Sequence, residues 1–488
     1  MQTSDQRSPH PEYQNDLERL RRAFETLREL ASALPASVEA LCLNPTLMIM
    51  ELQWQGLTAL LHKDSGADAP VKGPEHILLW LHPSDRAPRA RPAASEDLLV
   101  LKMVAESIPA ADVAAAGQLP IGAVDAAVDR AVRNGLLVSP ASRIRRDPSV
   151  FPAPGGRNAE LLASPSFTLQ WHITQVCDLH CKHCYDRSDR SPLTFQEAVR
   201  VLDDLRSFCR DHSVQGAVSF TGGNPLLHPR FLDIYRAAVE RNFSTAILGN
   251  PAPRERIEEI IAVAPPAFFQ VSLEGLREHN DRIRGAGHFD RIMDFLGVLR
   301  DLKVSSMVML TLTAENKDQV LPLAELLRDR TDVFHFNRLA LFGEGARLAM
   351  ADRAGYRRFL EDYLRAAETN PVMGSKDNLI NILLHERGLD LFGGCTGYGC
   401  GAAFNFVTLL ADGEVHACRK LPSPLGNIRE STFSGLYDSG LAKQYRLGPS
   451  ACTGCPVRIA CGGCLASSKS LGLDIFRDRD PFCFFPAR

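Results

Sequence analysis

Residues 177–185 read Cys-Asp-Leu-His-Cys-Lys-His-Cys-Tyr, three cysteines in the spacing C-x3-C-x2-C followed at once by an aromatic. The thiolates of Cys177, Cys181 and Cys184 can hold three irons of a cubane [4Fe-4S] cluster, and no fourth cysteine lies nearby in sequence to close the site. Thiolate-rich surroundings favour iron-sulfur clusters, zinc or cuprous copper. An open coordination position separates a catalytic metal site from a structural one, so the stretch predicts an enzyme.

Around that loop, strand-like and helix-like segments alternate. Strands fit 167–174, 217–221, 245–248, 268–273, 304–313 and 333–341, with amphipathic stretches between them at 194–208, 256–263, 289–302 and 318–327. Alternation of this kind predicts an α/β fold, a parallel sheet curved into a partial (β/α)6 barrel. Ligands gather at the carboxyl ends of such strands, and the cysteine loop follows the first strand directly. Thr221-Gly222-Gly223-Asn224-Pro225 follows the second strand. Its paired glycines let a backbone approach a ligand closely and Asn224 offers a carbonyl acceptor, although the same residues also make a good turn. Ser272-Leu273-Glu274-Gly275 ends the fourth strand, and Arg284 beyond it can pair bidentately with a carboxylate. Glu344 stands near the last strand end, as a turn residue or a base.

The cysteine spacing after strand one and Gly-Gly-Asn-Pro after strand two resemble the radical S-adenosylmethionine (SAM) enzymes, over about 167–341. The resemblance implies that SAM chelates the open iron and that one electron from the cluster cleaves its sulfonium. The 5′-deoxyadenosyl radical so formed then abstracts a substrate hydrogen. It further implies Gly222, Gly223 and Asn224 near the methionine amine, Ser272 at the ribose or methionine, and Arg284 at the carboxylate. His183 holds the position of the family's adenine-facing aromatic, with Tyr185 a second candidate. The family usually has Glu where Asn224 stands, and a neutral amide gives up part of a charge-assisted bond.

The tail reads Cys395-x4-Cys400-x12-Gly413-x4-Cys418, then Cys452-x2-Cys455-x5-Cys461-x2-Cys464, then Cys483. Two C-x2-C pairs suit a zinc ribbon, and eight cysteines could equally fill two [4Fe-4S] sites. Spacing alone leaves both open; the upstream loop favours iron-sulfur. The tail, from about 393 to 483, resembles the SPASM extension of peptide-modifying radical SAM enzymes, which carries two auxiliary clusters. That resemblance assigns Cys395, Cys400, Cys418 and Cys464 to the first and Cys452, Cys455, Cys461 and Cys483 to the second, making three clusters in all. Members lacking an equivalent of Cys395 leave an iron open for substrate. Arg419 stands where the sulfatase-maturing branch has a basic Asp, which disfavours formylglycine formation.

Before the barrel, residues 13–33 form an amphipathic helix, and 47–54 reads as a strand or a buried helix. Residues 64–92 read as loops around one apolar segment at 77–81. Helices over 95–107, with Ser95 as cap, 111–116 and 121–132, then a strand from Leu136, have the layout of a winged helix. Asp125 and Asp129 oppose Arg130 and Arg133 on the third helix, which argues against DNA and for a peptide-docking or purely structural role. The expected domains are 1–92, mostly helical; 93–146, winged-helix-like; 147–162, a linker; 163–375, the barrel; and 376–488, the SPASM domain.

With 55 basic and 58 acidic residues among 488, the chain is close to neutral at -3, which offers no case for nucleic acid or an anionic membrane. Met1 to Glu12 lacks the apolar core of a signal peptide and no window could span a bilayer. A cytoplasmic protein is expected. There, 13 cysteines serve better as metal ligands than as disulfides, with Cys42 and Cys209 as ordinary buried thiols. The favoured expectation is a maturase that modifies a ribosomally made precursor peptide at an unactivated C–H, with a layout like the selenobiotic-type enzymes. The peptide would dock on the N-terminal region, and flavodoxin or ferredoxin would supply electrons. A radical SAM enzyme of a small molecule or cofactor precursor, and a non-enzymatic zinc or electron-transfer protein, are the alternatives.

Overall fold

The computed structural model describes residues 12–61, 68–153 and 156–486. The readings made of the first eleven residues, of 62–67 and of Pro154-Gly155 lie outside the described residues. The chain divides into two compact units, Met1–Ala141 and Ser142–Arg488.

The larger unit is built on one nine-stranded sheet. Six strands are mutually parallel and adjacent in chain order: β1 (Ser166–Thr174), β2 (Gln215–Gly222), β3 (Ser244–Leu248), β4 (Phe268–Ser272), β5 (Ser306–Leu312) and β6 (Val333–Arg338). Alternation along each strand sorts its side chains to two faces. Phe167, Leu169 and Trp171 of β1 join the core with Leu202, Leu205 and Phe208 of the helix Phe195–Asp211. Residues of the other phase, Gln270 and Ser272 of β4, Met309 and Thr311 of β5 and Asn337 of β6, line the cleft. The helix Phe195–Asp211 starts at a capping box in which Thr194 and Glu197 exchange hydrogen bonds. Helices at Phe231–Val239 and Arg277–Arg284, absent from the sequence reading, complete the crossovers.

The cysteine-rich tail is not a separate lobe. Its first strand, β7 (Phe406–Leu409), adds parallel to β1, and β8 (Glu414–Cys418) and β9 (Leu421–Asn427) follow antiparallel. The tail thus covers the sheet edge that β1 would otherwise expose. The stretch 147–162, expected as a linker, is packed as well. Phe151 is buried, and Leu161 packs with Ile459 and Ala460. Arg146 lies between the rings of Phe151 and Phe404 and donates to the carbonyls of Tyr398 and Cys400.

The smaller unit corrects the expectation of a mostly helical N-terminus. Met48–Gln55, Val71–Leu81 and Pro88–Pro92 form an antiparallel meander with Val71–Leu81 in the middle. The apolar run at its end feeds two cores. Ile77, Leu79 and Leu81 pack with Leu17 and Leu20 of the first helix, Gln14–Thr26. Leu78 and Trp80 pack with Val100 and Leu101 of the helix Ser95–Ala105 and Ala127 and Ala131 of the helix Ile121–Arg133. A boundary at residue 92 would cut this sandwich in two. The three helices run Ser95–Ala105, Ala110–Gly117 and Ile121–Arg133. The first is capped by Asp97, which accepts from the Ala94 amide and pairs with Arg91, rather than by Ser95. Leu137–Val138 pairs with Cys42–Leu43, so among the described residues no wing hairpin follows the third helix. No helix among the described residues is long and apolar enough to cross a membrane.

Candidate functional site

A cleft of about 420 Å³ opens within the barrel sheet, lined by Cys177, Cys181 and Cys184 together with the inward residues of β2, β4, β5 and β6. The cysteine loop is held by its backbone. Lys182 donates to Ile283, Gly223 to Thr174, Asn224 to Val176, and the carbonyl of Cys184 accepts from Glu344. Glu344 therefore secures the loop and pairs with Arg347. The paired glycines serve this approach first. A Cβ on Gly222, whose φ is +122°, would meet the Thr174 carbonyl at 2.2 Å, and one on Gly223 would meet that of Val176 at 2.2 Å.

The remaining sequence-predicted residues divide. Gly222, Gly223, His183, Tyr185, Ser272 and Arg284 line the cleft, whereas Asn224 does not. It is buried, donates to Asp178 Oδ1 at 3.1 Å and accepts from the Leu226 amide. Asn250 donates to the same Asp178 oxygen at 2.6 Å and lies 3.7 Å from Cys177 Sγ, a support that sequence reasoning missed. Arg284 commits Nε and Nη2 to Glu274 Oε1, at 2.8 and 2.6 Å, which leaves Nη1 turned to Cys181 Sγ at 3.7 Å. Glu274 also accepts from the Thr311 amide, so strand β5 positions the pair. Burial would raise the Glu274 pKa, but His183 and Arg284 together hold it below its ordinary value. His183 lies between Arg284 and Glu274, and burial lowers its pKa to about 4, so its ring is neutral near pH 7. Its Nδ1 is buried without a hydrogen-bond partner. Tyr185 is tied to His172 Nε2 at 3.1 Å, and burial raises its pKa.

Two further cavities gather the tail cysteines. Cys395, Cys400, Cys418 and Cys464 line one, and Cys452, Cys455, Cys461 and Cys483 the other. None of the 13 cysteines is in a disulfide. Burial, then the neighbouring Cys418, Cys395 and Cys464, raise the Cys400 pKa to about 12 despite a backbone hydrogen bond, and burial takes Cys418 and Cys452 to about 11. Thiols packed this way cannot share negative charge without a cation, which is the donor chemistry a metal-sulfur cluster satisfies. The same holds at Cys181 and Cys184, both raised chiefly by burial. With the unpaired His183 Nδ1 in the cleft, the residues present fit the cluster and SAM. Cys42 and Cys209 line none of these cavities; Cys209 sits in the core, its pKa pushed up to about 12 by burial.

A buried ion-pair network joins the sites. Arg338, at the end of β6, donates to both oxygens of Asp480 at 2.8 and 2.7 Å and to Asp377 at 2.7 Å. Asp480 also accepts from the Cys464 amide at 2.7 Å. Arg338 lines both the cleft and the first tail cavity, and Asp480 lines the second. Sequence reasoning missed these residues; an Asp three positions before Cys483 was the available signal.

Residues 171–327 match the model of the Radical SAM superfamily, and 400–456 match SPASM, the iron-sulfur cluster-binding domain. The chain is similar to the AdoMet-dependent heme synthase of Methanosarcina barkeri, 24% identical over 65% of this chain and 96% of the relative. It is also similar to the mycofactocin maturase MftC of Mycolicibacterium smegmatis, 27% identical over 64% of this chain and 82% of the relative. In fold it resembles SuiB of Streptococcus suis, solved with its precursor peptide SuiA, with a TM-score of 0.54 and 17% identity. That likeness covers 84% of this chain and 96% of SuiB, more of this chain than Ser142–Arg488 alone.

Proposed function

Because the chain is a radical SAM enzyme with a C-terminal SPASM domain, we propose that it matures a ribosomally made precursor peptide at an unactivated C–H. The observation that carries the chemistry is the arrangement of cysteines, three at an open cleft and two sets of four around separate cavities. When bound, a [4Fe-4S] cluster and SAM supply reductive formation of a carbon radical able to take hydrogen from such a bond. Cys177, Cys181 and Cys184 hold that cluster, and Arg284, fixed by Glu274, faces the Cys181 thiolate with its free Nη1. Gly222, Gly223 and Ser272 provide the wall for the methionine and ribose of SAM, and His183 and Tyr185 the polar and aromatic surface for its adenine. Asn224 acts from behind the wall by holding Asp178.

Cys395, Cys400, Cys418 and Cys464 hold one auxiliary cluster, with Cys395 as its fourth ligand, and Cys452, Cys455, Cys461 and Cys483 the other. Clusters held there would supply an acceptor for the electron left after bond formation. An external one-electron donor such as flavodoxin or ferredoxin serves the cleft, and the reducing cytoplasm suits the free thiols. The peptide reading rests on the likeness to MftC and SuiB, and docking falls to the unit Met1–Ala141. The heme synthase likeness supports a second reading, a small-molecule or cofactor precursor as substrate. Reconstituted full-length protein with dithionite, SAM and a precursor encoded beside it should yield 5′-deoxyadenosine and a peptide of changed mass. A 5′-deoxyadenosine yield raised by porphyrin precursors but not by the peptide favours the second reading, and none with either sinks both.

A further inference from the structure

The cleft wall carries more positive charge than its own neighbours neutralise. Arg187, Arg284, Arg338, Arg419 and Lys420 all line it, against the single carboxylate of Asp186. Arg284 is neutralised from behind by Glu274, and Arg338 by Asp377 and Asp480. Arg187 and Lys420 donate only to backbone carbonyls, of Cys181 and Arg338. Asp186 faces none of them, since its oxygens accept from Ser188 and Gln175, both neutral. Arg419, which follows β8, makes no hydrogen bond or ion pair among the described residues. It sits near Tyr185 and His172: burial lowers the His172 pKa and raises that of Tyr185, and the Arg419 charge adds to the first effect and opposes the second.

The cofactors do not remove this excess. An oxidised [4Fe-4S] core on three thiolates would carry one net negative charge, and SAM chelating through its neutral amine and its carboxylate no net charge, so together they would offset only one of the cations of Arg187, Arg419 and Lys420. A guanidinium facing a part-desolvated cleft is strengthened as an anion ligand, because its attraction grows as the dielectric falls. Its planar fork matches a carboxylate bidentately, which a lysine ammonium cannot do. Cys418, the residue before it, lines the first tail cavity, so an anion held by Arg419 would lie beside both cysteine sites.

We infer that Arg419, seconded by Lys420, is a specificity-determining residue that receives a carboxylate of the substrate, and that the substrate is therefore acidic next to its reacting carbon. This deepens the proposed function and rests on it for the location of the reaction. The carboxylate could belong to an Asp or Glu of a peptide or to a small polycarboxylate.

The test is binding to the reconstituted, SAM-loaded full chain, read by calorimetry or saturation-transfer NMR. The probes are acetyl-Ala-Ala-Asp-Ala-Ala-amide, its Asn counterpart, and tricarballylate as the small-molecule arm. At least one acidic probe should bind about tenfold or more tightly than the neutral peptide, and Arg419→Gln should abolish the preference while Arg419→Lys retains part of it. Preference for the Asp peptide points to a peptide source, and for tricarballylate alone to a small molecule. The inference is overturned if neither acidic probe binds at millimolar concentration, or if the preference survives in Arg419→Gln. It is also overturned if that variant loses SAM affinity instead, which would assign the guanidinium to the SAM carboxylate. Cluster absorbance and 5′-deoxyadenosine formation report separately on the proposed function, so the two can fail independently.

Discussion

Replacing Asp480 by Ala should unfasten the C-terminal region from the barrel. Its side chain and that of Arg338 are each only 3% exposed and share two hydrogen bonds of 2.7 and 2.8 Å. The same carboxylate accepts from the amides of Cys464 at 2.7 Å and Phe482 at 2.9 Å. Truncation leaves Arg338 with Asp377 alone and strands two amide donors. Removing one partner of a buried pair costs about 3–5 kcal/mol, and each stranded donor adds on the order of 1 kcal/mol or more where water cannot reach it. Against a domain stability of roughly 5–15 kcal/mol, that is a large fraction. Asp480→Asn keeps an acceptor for only one of the two amides, since Cys464 and Phe482 donate to different oxygens, and should cost only somewhat less than Asp480→Ala. Urea unfolding followed by circular dichroism, with iron and sulfide analysis after reconstitution, checks both. Asp480→Ala should lower the unfolding midpoint sharply and lose iron from the tail sites, because Cys464 and Cys483 flank the lost contact. A change below about 1 kcal/mol with full iron content would refute the reasoning that this pair holds the sites in place.

Gly223→Ala would drive a methyl group to 2.2 Å from the Val176 carbonyl and 2.7 Å from that of Gln175. It should displace the cysteine loop and cost one cluster per chain, read as lost iron and visible absorbance with the tail sites retained. Glu197 is held to a pKa of about 2 by Arg429, then by Thr194, against the effect of burial. A lowered folded pKa gives stability that is complete above the unfolded value near 4.3 and is lost as pH falls through about 2. Urea midpoints of wild type and Glu197→Gln should therefore differ above about pH 5, on the order of 1 kcal/mol for the cap and ion pair, and converge as pH falls.

The barrel was legible because its strands carry their own evidence. Apolar residues on one phase of β1, β4 and β5 mark the helix-facing side, and that period survives any choice of partner. Phe231–Val239 could have been found the same way, since Phe231, Ile234, Tyr235 and Ala238 are spaced along one buried face. The strand Val71–Leu81 was not legible over its first half, where Gly73, Pro74 and three charged or His residues contradict strand propensity. Pairing with Met48–Gln55 overrides that preference. Site residues followed the same division. The cysteines announce themselves by type and spacing, but the amide of Asn224 found its partner in Asp178, 46 residues away, and Arg338 found Asp480 at 142. Such pairings are set by how the sheet brings loops together, and no local pattern encodes them.

That sheet also explains why the three cysteine sites should not behave independently. β7 extends the barrel in register with β1, Leu409 opposite Trp171, so the tail is anchored to the strand that carries the cysteine loop. The two tail sites are tied in turn by hydrogen bonds to the main chain. Cys400 donates to the Cys461 carbonyl, and Asn378 bridges the Cys395 amide to the Gly463 carbonyl. The first joins one cysteine set directly to the other, and the second ties Cys395 to the segment between Cys461 and Cys464, which belong to different sets. A ligand lost from either set therefore loosens the backbone that positions its neighbour, and Arg338 carries the disturbance to the cleft wall. This fold therefore fixes the spacing of the three cysteine sites with buried hydrogen bonds of its own.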